Sequence, residues 1–225
     1  MAIIDIKFMN GEGYLLKDLS LSLEEYENQM KEISYDQIYD AYRAHRDENG
    51  VEKTQFPSII YAFYNIIFNC CKVPTPLELI DEYYLLNSDE LEIIEGSVLY
   101  RNRSFKKIDL DARVMRTYPS LIRDYHFYLM LVNTGYFDKV IYSCKYDING
   151  KDLIIQHQGN EYVVSLFVKT RRSNFFKGIK NVFRHKYGKN EIQIPLDLSN
   201  ARKIGDFFVY SSNDIDNLKC SVLVT

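Results

Sequence analysis

The stretch from Lys151 to Arg172 carries the residue types that could act on a phosphate. Its sequence, KDLIIQHQGNEYVVSLFVKTRR, is typical of two strands joined by a tight turn at Gly159-Asn160. Asp152 lies at the open end of the first strand, and Lys169 lies at the end of the second. A carboxylate beside a lysine can hold a metal ion and place a water molecule against a phosphate.

Counting outward from two-residue turns predicts which side chains share a face of this sheet. The turn above places Asp152 opposite Phe167. A second two-residue turn at Asn149-Gly150 would place Asp147 opposite Asp152. Because opposite residues and alternate residues share a face, we expect Asp147, Asp152 and Lys169 to lie side by side. Two facing carboxylates repel, so they need a cation: Lys169, a neighbouring arginine or a divalent metal.

Each of these residues also has an ordinary structural role. Asp152 could cap a turn, Lys169 could protect a strand end, and Asp147 could form a surface ion pair. Taken one at a time, the residues favour these roles. Only their predicted convergence on one face favours chemistry.

The residues that follow concentrate positive charge. We call residues 169–189 the basic segment, which contains eight lysines and arginines and no acid in a chain of formal net charge −3. The spacing of its cations and apolar residues predicts an amphipathic helix with a basic stripe. Such a stripe can bind a nucleic-acid backbone, whereas the alternatives are a solvated helix face or an acidic protein partner. The predicted phosphate contacts are Arg171, Arg172, Lys177, Lys180 and Arg184.

The elements that must position these residues predict an α+β protein with a C-terminal mixed sheet. A helix is expected over residues 117–135, where Thr117 and an early proline mark the start. A three-stranded meander follows over residues 138–169, and the runs NEIQIPLDL and DFFVYSS are expected to add strands that close the sheet. These elements predict a C-terminal domain over residues 106–225.

The N-terminal part, residues 1–105, is predicted to be a mostly helical domain with small hairpins. Residues 1–20 resemble a hairpin around Asn10-Gly11, and an acidic helical segment begins at Ser22. An apolar helix is expected over residues 56–73, followed by a helix that Thr75 and Pro76 begin. Two short strands flank Gly96, and the charged residues 101–116 are predicted as a linker or short helix.

The order of helix, meander, helix and strand resembles the core of the PD-(D/E)xK, or restriction-endonuclease-like, nuclease superfamily. The resemblance covers a little under half of the chain and implies that Asp152 is the first acid and Lys169 the lysine of the motif. The Glu of Glu-x-Lys falls at Phe167, and an aromatic ring cannot bind Mg²⁺, which demands oxygen ligands. Members of this family relocate the acid to the helix or a neighbouring strand, so Asp124 and Asp147 are the candidate substitutes.

The resemblance implies a nucleic-acid-binding protein with a degenerate nuclease-like domain, of the DNA-processing or mobile-element kind, that binds DNA rather than RNA. One alternative is an active DNA endonuclease, with Asp152 and Lys169 catalytic and Mg²⁺ held by Asp147, Asp152 and Asp124. Another is a non-enzymatic interaction or assembly module whose acidic N-terminal helix binds a protein. The sequence leaves enzymatic activity open, and Mg²⁺ is the one cofactor that the residues suggest.

The composition excludes several other classes. Hydrophobic residues make up 46% and charged residues 26% of the 225 residues, which is typical of a soluble globular protein. No glycine-rich phosphate loop or Gly-x-Ser-x-Gly nucleophile motif is present. The four cysteines lack metal-ligand spacing, and the start MAIIDIKFMN does not resemble a signal peptide. We therefore expect a reduced cytoplasmic protein with no membrane segment.

Overall fold

The computed structural model describes residues 2–5, 21–47, 50–143, 152–169 and 190–224. They form two compact units, of which unit 1 comprises residues 1–23, 123–203 and 208–225, and unit 2 comprises residues 24–122 and 204–207. The predicted domain ranges 1–105 and 106–225 stay predictions, since a compact unit is not by itself an independently folding domain.

Helices and strands alternate irregularly along the chain, as in an α+β protein. The helices described are α1 (Leu23–Glu32), α2 (Tyr35–Asp40), α3 (Ile60–Cys70), α4 (Pro76–Leu86), α5 (Lys107–Thr134) and α6 (Ser212–Val224). The strands described are β1 (Ala2–Asp5), β2 (Glu92–Ile94), β3 (Ser97–Tyr100), β4 (Arg103–Lys106), β5 (Lys139–Ser143), β6 (Leu153–His157), β7 (Asn160–Val168), β8 (Glu191–Leu196), β9 (Arg202–Ile204) and β10 (Phe207–Val209). Within these ranges, no helix combines the length and the apolar character that crossing a membrane requires.

Unit 1 contains a mixed five-stranded sheet in the order β1-β5-β6-β7-β8. Strands β5, β6 and β7 form the predicted antiparallel meander, and β8 runs parallel to β7. Strand β1 pairs in parallel with β5, a pairing that the sequence does not predict, while the turn and second strand of the predicted N-terminal hairpin lie outside the described residues. The Asn10-Gly11 signal indicated a turn locally, but nothing in the sequence specified that the first strand pairs with one more than a hundred residues away.

One face of the sheet in unit 1 forms a continuous core. Its buried side chains come from every second residue of β7 and β8, including Val164, Leu166 and Ile194. Tyr142 of β5 lies against the ring of Tyr125 on α5, with 5.6 Å between the ring centroids. The other face of β8 is exposed.

The C-terminal residues differ from the prediction. The run DFFVYSS does not close the large sheet, because its strand β10 pairs with β9 in a separate two-stranded sheet. Helix α6 follows and was not predicted; its last turn contacts the large sheet through a hydrogen bond of 3.4 Å from the Tyr162 hydroxyl to the carbonyl of Val222. Polar and apolar residues are mixed around this helix, so its helical pattern is weak in the sequence.

Unit 2 contains α1 to α4, a three-stranded antiparallel sheet in the order β2-β3-β4, and the first part of α5. The predicted apolar helix corresponds to α3, and the predicted start of α4 is confirmed. The Thr75 hydroxyl accepts the backbone N–H of Glu78, and the Glu78 carboxylate accepts the N–H of Thr75. This reciprocal pair satisfies two donors that the helix start would otherwise leave unpaired.

Helix α5 begins ten residues earlier than the sequence predicts. Thr117 and Pro119 predict a helix start, yet both lie inside α5, which begins at Lys107. Proline lacks the N–H that would bond to the carbonyl four residues earlier, at Met115. The buried Tyr35 hydroxyl donates to this carbonyl instead, at 3.0 Å. A tertiary contact therefore satisfies the acceptor that the proline leaves open, and the helix continues.

We expect Tyr35→Phe to lower the free energy of unfolding by about 1–2 kcal/mol, because a buried carbonyl loses its donor while the ring is kept. Tyr39→Phe is the matched control, since Tyr39 belongs to the same helix, stacks on Tyr35 at 5.5 Å and is only half-buried. Urea denaturation of both variants measures the difference. An equal, small effect of the two substitutions would contradict the role of the hydroxyl at Pro119.

Candidate functional site

The turn between β6 and β7 sets the position of Asp152. It consists of Gln158 and Gly159, whose φ angles are +51° and +79°, rather than of Gly159 and Asn160. His157 pairs with Asn160, and the ladder runs to the pair Leu153–Val164. The prediction that Asp152 faces Phe167 is therefore wrong.

Continuing the observed ladder by one residue places Asp152 opposite Ser165. The turn starts one residue earlier than expected because Gln158 adopts a left-handed conformation, which is more typical of glycine and asparagine. Moving the turn by one residue shifts the partner strand by two, and a shift of two leaves each side chain on its predicted face. Ser165 has a neighbour of its own, since its hydroxyl lies 3.2 Å from a carboxylate oxygen of Glu191.

The register between β5 and β6 also differs from the prediction. Lys139 pairs with Gln156, and Ile141 pairs with Ile154. Continuing this pairing brings Ser143, not Asp147, opposite Asp152. Asp147 itself lies outside the described residues, and so does the predicted turn at Asn149-Gly150.

Asp152 holds the end of the meander together. Its Oδ2 atom accepts the backbone N–H of Leu166 at 2.5 Å, and the residue is half-buried. This N–H points toward β6, but β6 begins at Leu153 and does not extend as far as Leu166. The carboxylate thus takes the place of a strand carbonyl, which is the kind of structural role that the sequence alone also allows.

Lys169 lies further along β7 than the predicted site requires. It is exposed and follows Ser165 by four residues, a separation of about 13 Å along a strand. Its backbone N–H donates to the carbonyl of Leu196 at 2.8 Å. The two hydrogen bonds from Ser199 and then the charge of Lys169 lower the pKa of the exposed Asp197. The predicted side-by-side placement of Asp152 and Lys169 is therefore wrong, because Lys169 lies four residues, not two, beyond the residue opposite Asp152.

Asp124 and Asp152 do act on a common group, the hydroxyl of Tyr210. Tyr210 is fully buried, and its hydroxyl donates to the carbonyl of Ile194 at 3.3 Å. Burial raises the pKa of this hydroxyl well above its usual value, and the negative charge of Asp124 and, more weakly, of Asp152 raises it further. The positive charge of Arg123 acts in the opposite direction.

Asp124 lies beside a cation of its own helix, α5. The Arg123 Nε atom lies 3.7 Å from Asp124 Oδ1, and both side chains are largely buried. Sequence reasoning missed Arg123 and Tyr210. An Arg-Asp pair inside an otherwise apolar stretch of helix is the signal that could have found the first, whereas Tyr210 is one of 19 tyrosines and carries no local signal.

The described donors fit only part of a magnesium site. Carboxylate oxygens of Asp124 and Asp152 are of the type that Mg²⁺ binds, but one oxygen of Asp152 already accepts the N–H of Leu166. Across the described ranges, no group of three or more His, Cys, Asp or Glu side chains is placed to hold a metal ion. The predicted third ligand, Asp147, lies outside those ranges.

The predicted phosphate contacts also lie outside the described residues. They are Arg171, Arg172, Lys177, Lys180 and Arg184. Strand β7 ends at Val168 and strand β8 begins at Glu191. The two strands are parallel neighbours, and the basic segment lies between them in the sequence.

Comparison with protein-family models, with curated proteins and with solved structures finds no match to this chain.

Two substitutions of Asp152 separate its structural role from a chemical one. We expect Asp152→Ala to lower the free energy of unfolding by about 1–2 kcal/mol, because the N–H of Leu166 loses its acceptor. Asp152→Asn keeps an oxygen at this position and should cost less than half as much. Thermal and urea unfolding measure both effects. Equal destabilisation by the two variants would mean that the charge, rather than the acceptor, is what matters.

Proposed function

We propose that this chain is a nucleic-acid-binding protein, built on a nuclease-like core that has lost catalysis, and that its basic segment binds the phosphate backbone of DNA. The observation that carries the proposal is the charge of residues 169–189: eight cations and no acid. The whole chain carries −3 and this segment +8, so the rest of the chain carries −11. A separation of charge this strong favours a polyanionic ligand at one place on an otherwise acidic protein.

The topology supports the same proposal. A long helix, an antiparallel meander and a fourth strand parallel to the third follow each other in the order expected for a restriction-endonuclease-like core. The basic segment connects the third and fourth of these strands. In this arrangement it begins beside the end of β7 at which Asp152 binds Leu166.

The positions around Asp152 support the proposed loss of catalysis. The residue opposite it is Ser165, the next on the same face is Phe167, and Lys169 lies too far along the strand. The positions beside Asp152 at which the motif requires a glutamate and a lysine therefore hold neither residue. The carboxylate of Asp152 supports the ladder of hydrogen bonds instead.

A salt titration with a fluorescent DNA duplex tests the proposal. We expect affinity to fall steeply as salt rises from about 50 to 200 mM, because each phosphate contact releases counterions. The affinities for a labelled heparin-like polyanion and for a labelled single-stranded RNA show whether the protein prefers DNA to other polyanions. Absence of DNA binding at low salt would exclude the proposal.

An active Mg²⁺-dependent nuclease is the second candidate, which the shared influence of Asp124 and Asp152 on Tyr210 favours. Incubating labelled DNA with Mg²⁺ or Mn²⁺ separates the two candidates. Cleavage that stops with a chelator and with Asp152→Asn would establish the nuclease, since this variant keeps the hydrogen-bond acceptor. Binding without cleavage, unchanged by the chelator, supports the non-catalytic protein.

A further inference from the structure

Strand β2 leaves one side of the small sheet open. It is the first strand in the order β2-β3-β4, and within the described part of the chain no strand pairs with its outer edge. All three of its residues, Glu92 to Ile94, are exposed. Edge strands are commonly protected by a very short length, charged side chains, proline or a bulge. Strand β2 is short and carries one charge, Glu92, but it contains neither lysine nor proline.

The apolar face of the small sheet ends abruptly at this edge. One cross-strand row joins Phe105, Val98 and Ile93 through adjacent pairs. Phe105 and Val98 are 5% and 0% exposed, whereas Ile93 is 48% exposed. A further strand beside β2 would extend this row by one residue and remove Ile93 from water, which is favourable for an apolar side chain.

The negative charge around β2 favours a positively charged partner. Residues 89–95 contain four acids and no cation, and all four acids are exposed. A second copy of this chain is disfavoured, because antiparallel pairing of β2 with itself would bring acids of the two copies together. The four acids are Asp89, Glu90, Glu92 and Glu95.

We infer that the outer edge of β2 is a docking site for an extended, basic segment of a partner protein. The segment adds a fourth strand to the small sheet, with an apolar side chain opposite Ile93 and a lysine or arginine beside Glu92. Main-chain hydrogen bonds to the open edge hold the segment, and alternate side chains give selectivity. The inference concerns unit 2 and does not depend on the proposed binding of DNA.

A short peptide of alternating lysine and valine is the probe for this site. It presents valines to the face of Ile93 and lysines to the face of Glu92. We expect the full chain to bind it and, in hydrogen exchange, the amide of Ile93, which faces the open edge, to become protected. A peptide of the same length and charge, in which the central valine is replaced by proline, is the control, because proline removes a donor and breaks strand pairing.

Variants of the protein locate the contact. Glu92→Gln with Glu95→Gln should weaken binding of the lysine–valine peptide by about 2- to 30-fold at low salt, in keeping with two exposed ion pairs. Ile93→Ser should weaken it while leaving the charge unchanged. Glu24→Gln with Glu32→Gln removes the same charge from exposed positions of α1 and should have little effect.

Three outcomes would overturn the inference. Equal binding of the proline peptide would mean that charge alone attracts the probe. Protection of amides elsewhere than β2, or no loss with Ile93→Ser, would place the contact on another surface. Concentration-dependent dimerisation that Ile93→Ser abolishes would make a second copy the occupant.

Discussion

Replacing five cations of the basic segment with glutamine is expected to weaken binding to a DNA duplex about 10²–10³-fold at moderate salt. Each lysine or arginine that contacts a phosphate releases counterions, so the loss grows with the number of contacts removed. The slope of log affinity against log salt should fall by about four for the same reason. Anisotropy titrations at several salt concentrations measure both quantities. The substituted residues are Arg171, Arg172, Lys177, Lys180 and Arg184.

A matched variant shows whether position or total charge is responsible. Five exposed cations of unit 2 can be replaced in the same way, and both variants then have a formal net charge of −8 in place of −3. We expect the unit 2 variant to retain most of its affinity. Similar losses in the two variants would contradict a defined phosphate-binding segment and would favour a diffuse attraction. The unit 2 residues are Lys31, Arg43, Lys53, Arg101 and Lys106.

The fold class and the meander could be predicted from the sequence because alternation and turn residues are local signals. The register could not, because it depended on whether Gln158 or Asn160 occupies the turn. A propensity table favours asparagine at a positive φ, but the structure places Gln158 there at +51°. The exact turn decides which residue faces Asp152, and so a local uncertainty of one residue changed the predicted site.

The start of α5 was mispredicted for a different reason. Pro119 indicates a helix start when only neighbouring residues are considered. Its cost is reduced by Tyr35, which lies 80 residues from Met115 in the sequence and donates to its carbonyl. A contact of this kind has no sequence signal.

Gly205→Ala is expected to lower the free energy of unfolding by about 2–4 kcal/mol, from backbone strain and a steric clash together. Gly205 has a φ of +54°, a conformation that residues with a side chain rarely adopt. A Cβ atom there would lie 2.9 Å from the carbonyl oxygen of Met30 and 3.2 Å from the Cα atom of Lys31. Both of those atoms belong to the backbone of α1, so no side-chain rotation relieves the contact.

The residues after Gly205 prevent the turn from moving away. The Asp206 carboxylate accepts the backbone N–H of Asp36 at 3.0 Å, near the start of α2. The ring of Phe207 packs against Tyr35 and Tyr118, with centroids 5.7 and 5.8 Å apart. A shift that made room for a methyl group would weaken these contacts. The clash therefore has to be absorbed by α1 or by the turn, and both adjustments cost stability.

Gly96→Ala is the control that isolates the clash from the strain. Gly96 belongs to the same unit and has a φ of +78°, but no atom lies within 4 Å of the position of an added Cβ. We expect this variant to lose only about 1 kcal/mol, the cost of the left-handed conformation. Urea denaturation of both variants measures the difference. If Gly205→Ala were no worse than Gly96→Ala, the turn would yield freely, and the close approach of Gly205 to Met30 would not contribute to the stability of unit 2.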